Sequence, residues 1–210
     1  MDVRAPRYTC PTRSVAVRSP PGEVRGLARM SSASAVHTVG GMEPKTLIAY
    51  ASKHGSTQEV AEQVAQHLRD NGLDVDVRPA SSVDDVAAYG ALVIGGALYM
   101  GHWHRDARRL LDRVSEELRE RPVFVFGMGP TDLEQKSVEG ARKQVDRALA
   151  KVPDVQPASV AIFGGVVHPS ELHFPFNHMP EADARDPEAI RAWSDDVAAV
   201  LRSRRVAPAT

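Results

Sequence analysis

The chain is predicted to be an α/β protein, a doubly wound five-stranded parallel sheet in the order 2-1-3-4-5 with helices on both faces. Three observations predict it. From residue 42 onward, short apolar runs alternate with segments of helical period, the signature of repeated strand–helix units. The runs at 47–51 and 91–94 leave almost no polar position, as strands covered on both faces require. Residues 73–78 alternate Leu73, Val75 and Val77 with Asp74, Asp76 and Arg78, so this strand is half exposed and belongs at an edge.

The elements follow in order. Thr46 to Ala51 is the first strand, and Ser52, Gly55, Ser56 and Thr57 make a hydroxyl-rich turn after it. A helix from Thr57 to Asp70 repeats Val60, Ala61, Val64, Ala65 and Leu68 at helical spacing, and Asn71-Gly72 stops it. After the edge strand, 81–88 is a short helix or turn, and 91–96 is the third strand, ending in Gly95 and Gly96. The loop 97–104 leads to a charged helix from Arg105 to about Glu120, ended by Pro122. Val123 to Phe126 is the fourth strand, running into a loop from Gly127 to Asp132. Lys136–Lys151 is a helix, Ala158–Phe163 the fifth strand, 164–186 a long irregular loop, and Pro187 to about Leu201 the last helix.

Composition excludes several classes. With 210 residues, 42% hydrophobic, 25% charged and a net charge of −1, the chain has the make-up of a globular protein without the basic excess of a nucleic-acid binder. No run of about 18 apolar residues occurs, so no membrane-spanning helix is expected. Cys10 stands alone and makes no internal disulfide, in keeping with a reducing, cytoplasmic setting. Residues 1–41 hold six arginines against Asp2 and Glu23, have four prolines and show no period. They are expected to be a disordered basic extension, followed by one domain over 42–205 and a tail over 206–210. Met42 directly precedes the first strand, so an upstream start codon accounts for the extension more simply than a targeting peptide. Without the extension the remainder carries −5, which makes docking on anionic lipid poor and argues against peripheral membrane contact.

The site is expected where successive strands depart in opposite directions, beyond their carboxyl ends. With strand two at the edge, the loops after strands one and three face each other. One offers Ser52, Lys53, His54, Gly55, Ser56 and Thr57 at a helix N-terminus, suited to a phosphate. The other offers Ala97, Leu98, Tyr99, Met100 and Gly101, with Tyr99 suited to covering a flat ring. Together they suggest a mononucleotide. Gly55 is followed by Ser56, not Lys, so this is not a nucleoside-triphosphate loop, and a single glycine is not the dinucleotide fingerprint.

These residues resemble the flavodoxin-like fold, whose phosphate loop has the form Thr/Ser-x-Thr-Gly-x-Thr and binds the phosphate of FMN. The loop here matches at Ser52, Gly55 and Thr57, with His54 where the family usually has Thr. Val93-Ile94-Gly95-Gly96 followed by Gly101-His102-Trp103-His104, the Gly164-Gly165 turn and the start of the last helix at Arg185–Trp193 resemble the menaquinone-dependent protoporphyrinogen oxidase type within that fold. The resemblance implies FMN as cofactor, flanked by backbone of 97–101 and of Gly127, Met128, Gly129 and Asp132, with His102 as the first candidate for a proton donor. Met100 stands where that type has an aromatic, and His168 to Met179 replaces its basic and aromatic segment.

Several residues carry two readings. Ser56 and Glu59 have capping-box spacing, so Ser56 either caps the helix, contacts phosphate, or does both. Trp103 reads as packing and Tyr99 as the ring contact. No metal is expected: His102, His104, His168, His173 and His178 lack a Cys or a carboxylate at ligand spacing. The leading functional expectation is an FMN redox protein passing electrons or hydride to a redox partner or small organic acceptor. The alternatives are a protoporphyrinogen-type dehydrogenase with a quinone acceptor, for which 168–186 would wall the substrate, and a flavodoxin-fold binding module without FMN. Oligomeric state is left open.

Overall fold

Alternate residues along each central strand point to opposite layers, and that alternation builds two cores around one sheet. The structure, a computed structural model, describes residues 44–167, 169 and 180–206. The expected basic extension, residues 207–210 of the tail, and His168, His173 and His178 lie outside the described residues. Leu47, Ala49, Leu92, Ile94, Val123 and Val125 face one layer, and Ile48, Val93, Phe124 and Phe126 face the other. This is the period-2 geometry of a strand with both faces covered.

Strand β1 (Lys45–Ala51) is followed by helix α1 (Ser56–Asp70), β2 (Val75–Pro79), a 3-10 turn at Ala80–Ser82, and β3 (Tyr89–Tyr99). Then come β4 (His102–Trp103), α2 (Arg105–Val114), β5 (Val123–Met128), α3 (Gln135–Leu149) and β6 (Ser159–Phe163). Two short strands, β7 (Val166–Val167) and β8 (Ala182–Asp183), precede α4 (Pro187–Val206). The parallel sheet runs β2-β1-β3-β5-β6, with β4 pairing only to β3. That is the expected 2-1-3-4-5 order once the two-residue β4 is set aside, and β2 is the edge strand its alternation predicts. Helix α1 packs Val60, Val64 and Leu68 with Ile190, Trp193 and Val197 of α4 on one face. On the other, α2 contributes Leu110, Leu111 and Val114.

Four boundaries differ from the reading of the sequence. The third strand continues to Tyr99, because the chain folds back as β4 and pairs Leu98 with Trp103 and Tyr99 with His102. The expected loop 97–104 is therefore a hairpin. The fourth strand runs on through Gly127 and Met128, which pair with Gly96 and Ala97 of the lengthened β3, so the loop that was expected to start at Gly127 starts at Gly129. Helix α2 ends at Val114 because its last stretch tightens into i→i+3 turns, Arg119 N–H to Glu116 O and Arg121 N–H to Leu118 O. The expected loop after β6 contains the β7–β8 ladder.

Candidate functional site

The turn after β1 is shaped by three residues. Ser52 Oγ accepts the Gly55 N–H at 2.9 Å and closes the loop. Gly55 has φ +88°, a left-handed value that side chains with a Cβ adopt only at a cost. Helix α1 then opens with Gly55 as its N-cap and no side-chain cap, and its first intrahelical bond runs from Glu59 N–H to Gly55 O. The capping box between Ser56 and Glu59 is thus not formed. Glu59 turns instead to Arg185, whose guanidinium also binds Asp183. The hydrogen bonds of Arg185 to Asp183, and then to Glu59, hold its proton even more firmly than in an ordinary arginine. The result is a first helical turn whose N–H groups no side chain caps, the arrangement that receives anions.

Thr57 sharpens that picture. It is fully buried and its Oγ1 has no hydrogen-bond partner among the described residues. A buried hydroxyl without a partner is costly, so its position at an uncapped helix N-terminus points to a ligand oxygen as its complement. Ser56 is half-buried beside it, while Lys53 and His54 are exposed.

The second wall is the hairpin. Its turn residues, Met100 and Gly101, have φ of 51° and 79°, the positive pair that a two-residue turn joining twisted strands requires. Met100 has no glycine-like freedom, and its side chain is held out in solvent at 67% exposure. Tyr99 is 44% exposed, and Lys53 Nζ lies 5.1 Å from its ring centroid. The loops after β1 and β3 are thereby brought into contact, as the strand order requires. Trp103 is buried and donates Nε1–H to Gly96 O at 3.0 Å, so it is a packing residue.

The glycines at the carboxyl edge fit protein atoms. A Cβ on Gly95 would strike the Phe126 ring at 1.9 Å, on Gly96 the Trp103 Nε1 at 2.5 Å, and on Gly129 the Leu98 Cβ at 2.7 Å. Gly127 and Met128 are buried inside the sheet, and Met128 packs in the α1/α4 core. Beyond them lies a cavity of about 310 Å³ walled by Leu98, Gly101, Gly129, Thr131, Asp132 and Gln144. Asp132 Oδ1 accepts the Glu134 N–H at 3.1 Å and shapes that rim. Sequence reasoning found Leu98, Gly101, Gly129 and Asp132 but missed Ser137 and Gln144, which α3 adds to this wall.

The two histidines of the hairpin divide in role. His102 is exposed, and its Nδ1 lies 2.9 Å from Met100 O. A carbonyl only accepts, so Nδ1 carries the proton and Nε2 is the acceptor in the neutral ring. His102 lines a second cavity on the α3 side of the hairpin, not the one at Asp132. His104 caps α2, its Nδ1 accepting the Asp106 N–H at 3.2 Å. Burial lowers its pKa, with nearby Asp106 opposing.

Comparison with known proteins adds a frame to this geometry. A family model described as flavodoxin domain matches residues 47–179. The protoporphyrinogen IX dehydrogenase [quinone] of Escherichia coli strain K12 is 28% identical over 86 residues, covering 40% of this chain and 48% of that protein. The chain thus spans about half the length of the curated relatives it matches. Among solved structures, rubredoxin oxygen:oxidoreductase from Desulfovibrio gigas aligns with a TM-score of 0.53 at 19% identity, over 78% of this chain and 37% of that one. A flavodoxin from the domain Archaea aligns at 0.51 and 14% identity, over 75% and 99%. At these identities the structural likeness establishes the fold.

Proposed function

Because this chain belongs to the flavodoxin-domain family, we propose that it is an FMN-binding redox protein that passes electrons or hydride to a redox partner or small organic acceptor. FMN is the cofactor that family membership implies, and the residues present fit it. The observation that carries the reading is Thr57: a buried hydroxyl without a partner, at the uncapped start of α1. Ser56, Thr57 and the first-turn N–H groups would hold the phosphate. Tyr99 and the 97–101 backbone would take one side of the ring, and Gly129 to Asp132 the other.

When bound, the flavin supplies the redox chemistry. The chain's own part is to bind, orient and shield. The positive end of α1 favours a phosphate over a neutral ligand. Leu98 and Gly101 form one wall of the cavity, and Gly129 lets the loop after β5 approach Leu98 closely. His102, with Nδ1 against Met100 O, leaves its exposed Nε2 at the hairpin as a hydrogen-bonding group for a ligand there.

A narrower reading, a dehydrogenase of the protoporphyrinogen type with a quinone acceptor, is favoured by the 28% identity to the E. coli enzyme. Two measurements test these readings in turn. Titration of purified protein with FMN, followed by absorption, should show saturable binding in the micromolar range; none would leave the flavodoxin-fold binding module without FMN. Anaerobic turnover with protoporphyrinogen IX and a menaquinone analogue then separates the dehydrogenase from the carrier. Among the described residues no helix is long and apolar enough to cross a membrane.

A further inference from the structure

On the α3 side of the hairpin lies a second cavity of about 320 Å³, lined by His102, Trp103, Arg108, Gln144, Arg147 and Lys151. Among the described residues no Asp or Glu lines it. Its cations come from two helices: Arg108 from α2, Arg147 from α3, and Lys151 just beyond the end of α3. Gln144 and Arg147 share one face of α3 at i and i+3, and Lys151 follows in the turn after it. Two buried polar atoms in this wall, Arg108 Nε and Gln144 Oε1, have no hydrogen-bond partner among the described residues. One is a donor on a permanent cation and the other an acceptor, so a ligand that carries both acceptor oxygens and a hydroxyl complements the pair.

We propose that this cavity is a binding site for a phosphate-bearing small molecule, distinct from the turn that begins α1. Three converging cations exceed what a single carboxylate needs, since one arginine already pairs with it in two-pronged fashion. A phosphate monoester carries about −1.5 to −2 charge at pH 7 and three acceptor oxygens, which matches Arg108, Arg147 and Lys151. The Gln144 Oε1 takes a hydroxyl of the ligand. The volume is at the lower end of the roughly 300–1,000 Å³ typical of small-molecule pockets, which leaves room for an organic body beside the phosphate. The apolar floor at Trp103 and Ala148 suits that body. Gly101 and Gln144 line both this cavity and the one at Asp132, so a ligand here reaches the partition beside the redox site proposed above. The site itself does not depend on FMN.

Isothermal titration calorimetry of the full chain with glycerol 3-phosphate tests this, with neutral glycerol as control. Glycerol 3-phosphate should bind, and glycerol should not. Arg147→Gln combined with Lys151→Gln, both exposed side chains, should weaken binding by about tenfold or more, since losing 1.4 kcal/mol is tenfold. In the Ser56→Ala, Thr57→Ala variant, which removes the phosphate contacts at the start of α1, glycerol 3-phosphate binding that depends on Arg147 and Lys151 should persist. The reverse pattern, binding lost in the Ser56/Thr57 variant and kept in the Arg147/Lys151 variant, would assign the phosphate to α1 and overturn the proposal, as would no heat with the unmodified chain. Inorganic phosphate separates the sources: tighter binding of glycerol 3-phosphate assigns an organic monoester, and equal binding assigns free phosphate at the same cations. All of these readouts are taken without flavin, so failure of FMN binding leaves them standing.

Discussion

The ammonium of Lys53 lies 5.1 Å from the centroid of the Tyr99 ring, joining the loop after β1 to the end of β3. At that distance the cation is attracted to the ring face. The contact fixes Tyr99 at the mouth of the crevice while leaving it 44% exposed and available to a flat ligand. Tyr99→Phe should therefore keep FMN affinity near that of the unmodified chain, and Tyr99→Ala should lower it about tenfold, because an aromatic pair is worth about 0.5–1.5 kcal/mol beyond its buried area. Flavin fluorescence titration measures both; equal affinity of the alanine variant would place the ring elsewhere.

Met100 occupies a left-handed position at φ 51° without being Gly, Asn or Asp. Such a conformation costs about 1–2 kcal/mol for an ordinary side chain. Asn-Gly is the preferred pair for this turn. Met100→Asn should stabilise the protein by about 1 kcal/mol in urea denaturation at unchanged slope. No gain would mean that the exposed methionine side chain makes compensating contacts.

What could be read from the sequence and what could not differ for a physical reason. The strand order was legible because Asp76 and Arg78 interrupt the second strand while nothing polar interrupts 91–94, and burial on one or two faces leaves that mark directly. The turn after β1 was legible because Ser52, Gly55, Ser56 and Thr57 stand between an apolar strand and the helical period of α1. The hairpin at Met100 was not, because its turn pair lacks the Asn-Gly signal and the backbone pays strain for it. Gly129 read as a cofactor neighbour in one dimension; its close approach to Leu98 appears only once the hairpin folds back. The pairing of Glu59 with Arg185, 126 residues away, replaced a local capping box that spacing alone favoured. Gln144, Arg147 and Lys151 did carry a signal, a polar face on a helix, but such a face ordinarily meets solvent.

His104 predicts a pH dependence with a definite sign. Burial lowers its folded pKa below the ordinary value of 6.5, and its Nδ1 is engaged as acceptor of the Asp106 N–H. The unfolded chain therefore binds more protons in the window beneath 6.5, so stability falls as pH drops from there through the folded value, and is flat above it. Protonation also sets a positive charge at the positive end of α2. His104→Asn keeps a capping oxygen but does not titrate. Urea midpoints measured from pH 8 to pH 5 should fall less steeply for this variant than for the unmodified chain, and parallel curves would remove His104 as the cause.

Thr57 offers the sharpest separation of fold from ligand. Its hydroxyl is buried without a partner, so in the ligand-free protein the group is a cost of about 1–3 kcal/mol. Thr57→Val replaces it with a methyl of similar shape in a site whose neighbours include Val60 and Ala61 of the α1 face. The ligand-free variant should therefore be as stable as the unmodified chain or more stable by about 1 kcal/mol. FMN should bind about tenfold or more weakly, since a hydrogen bond to a charged group is worth about 1.5–3 kcal/mol. Riboflavin, which shares the ring and lacks the phosphate, should be unaffected. Thermal unfolding of the ligand-free protein together with paired titrations of FMN and riboflavin reads all three quantities. A variant that lost stability while binding FMN normally would mean that the hydroxyl serves the fold, and the phosphate would then have to be sought away from α1.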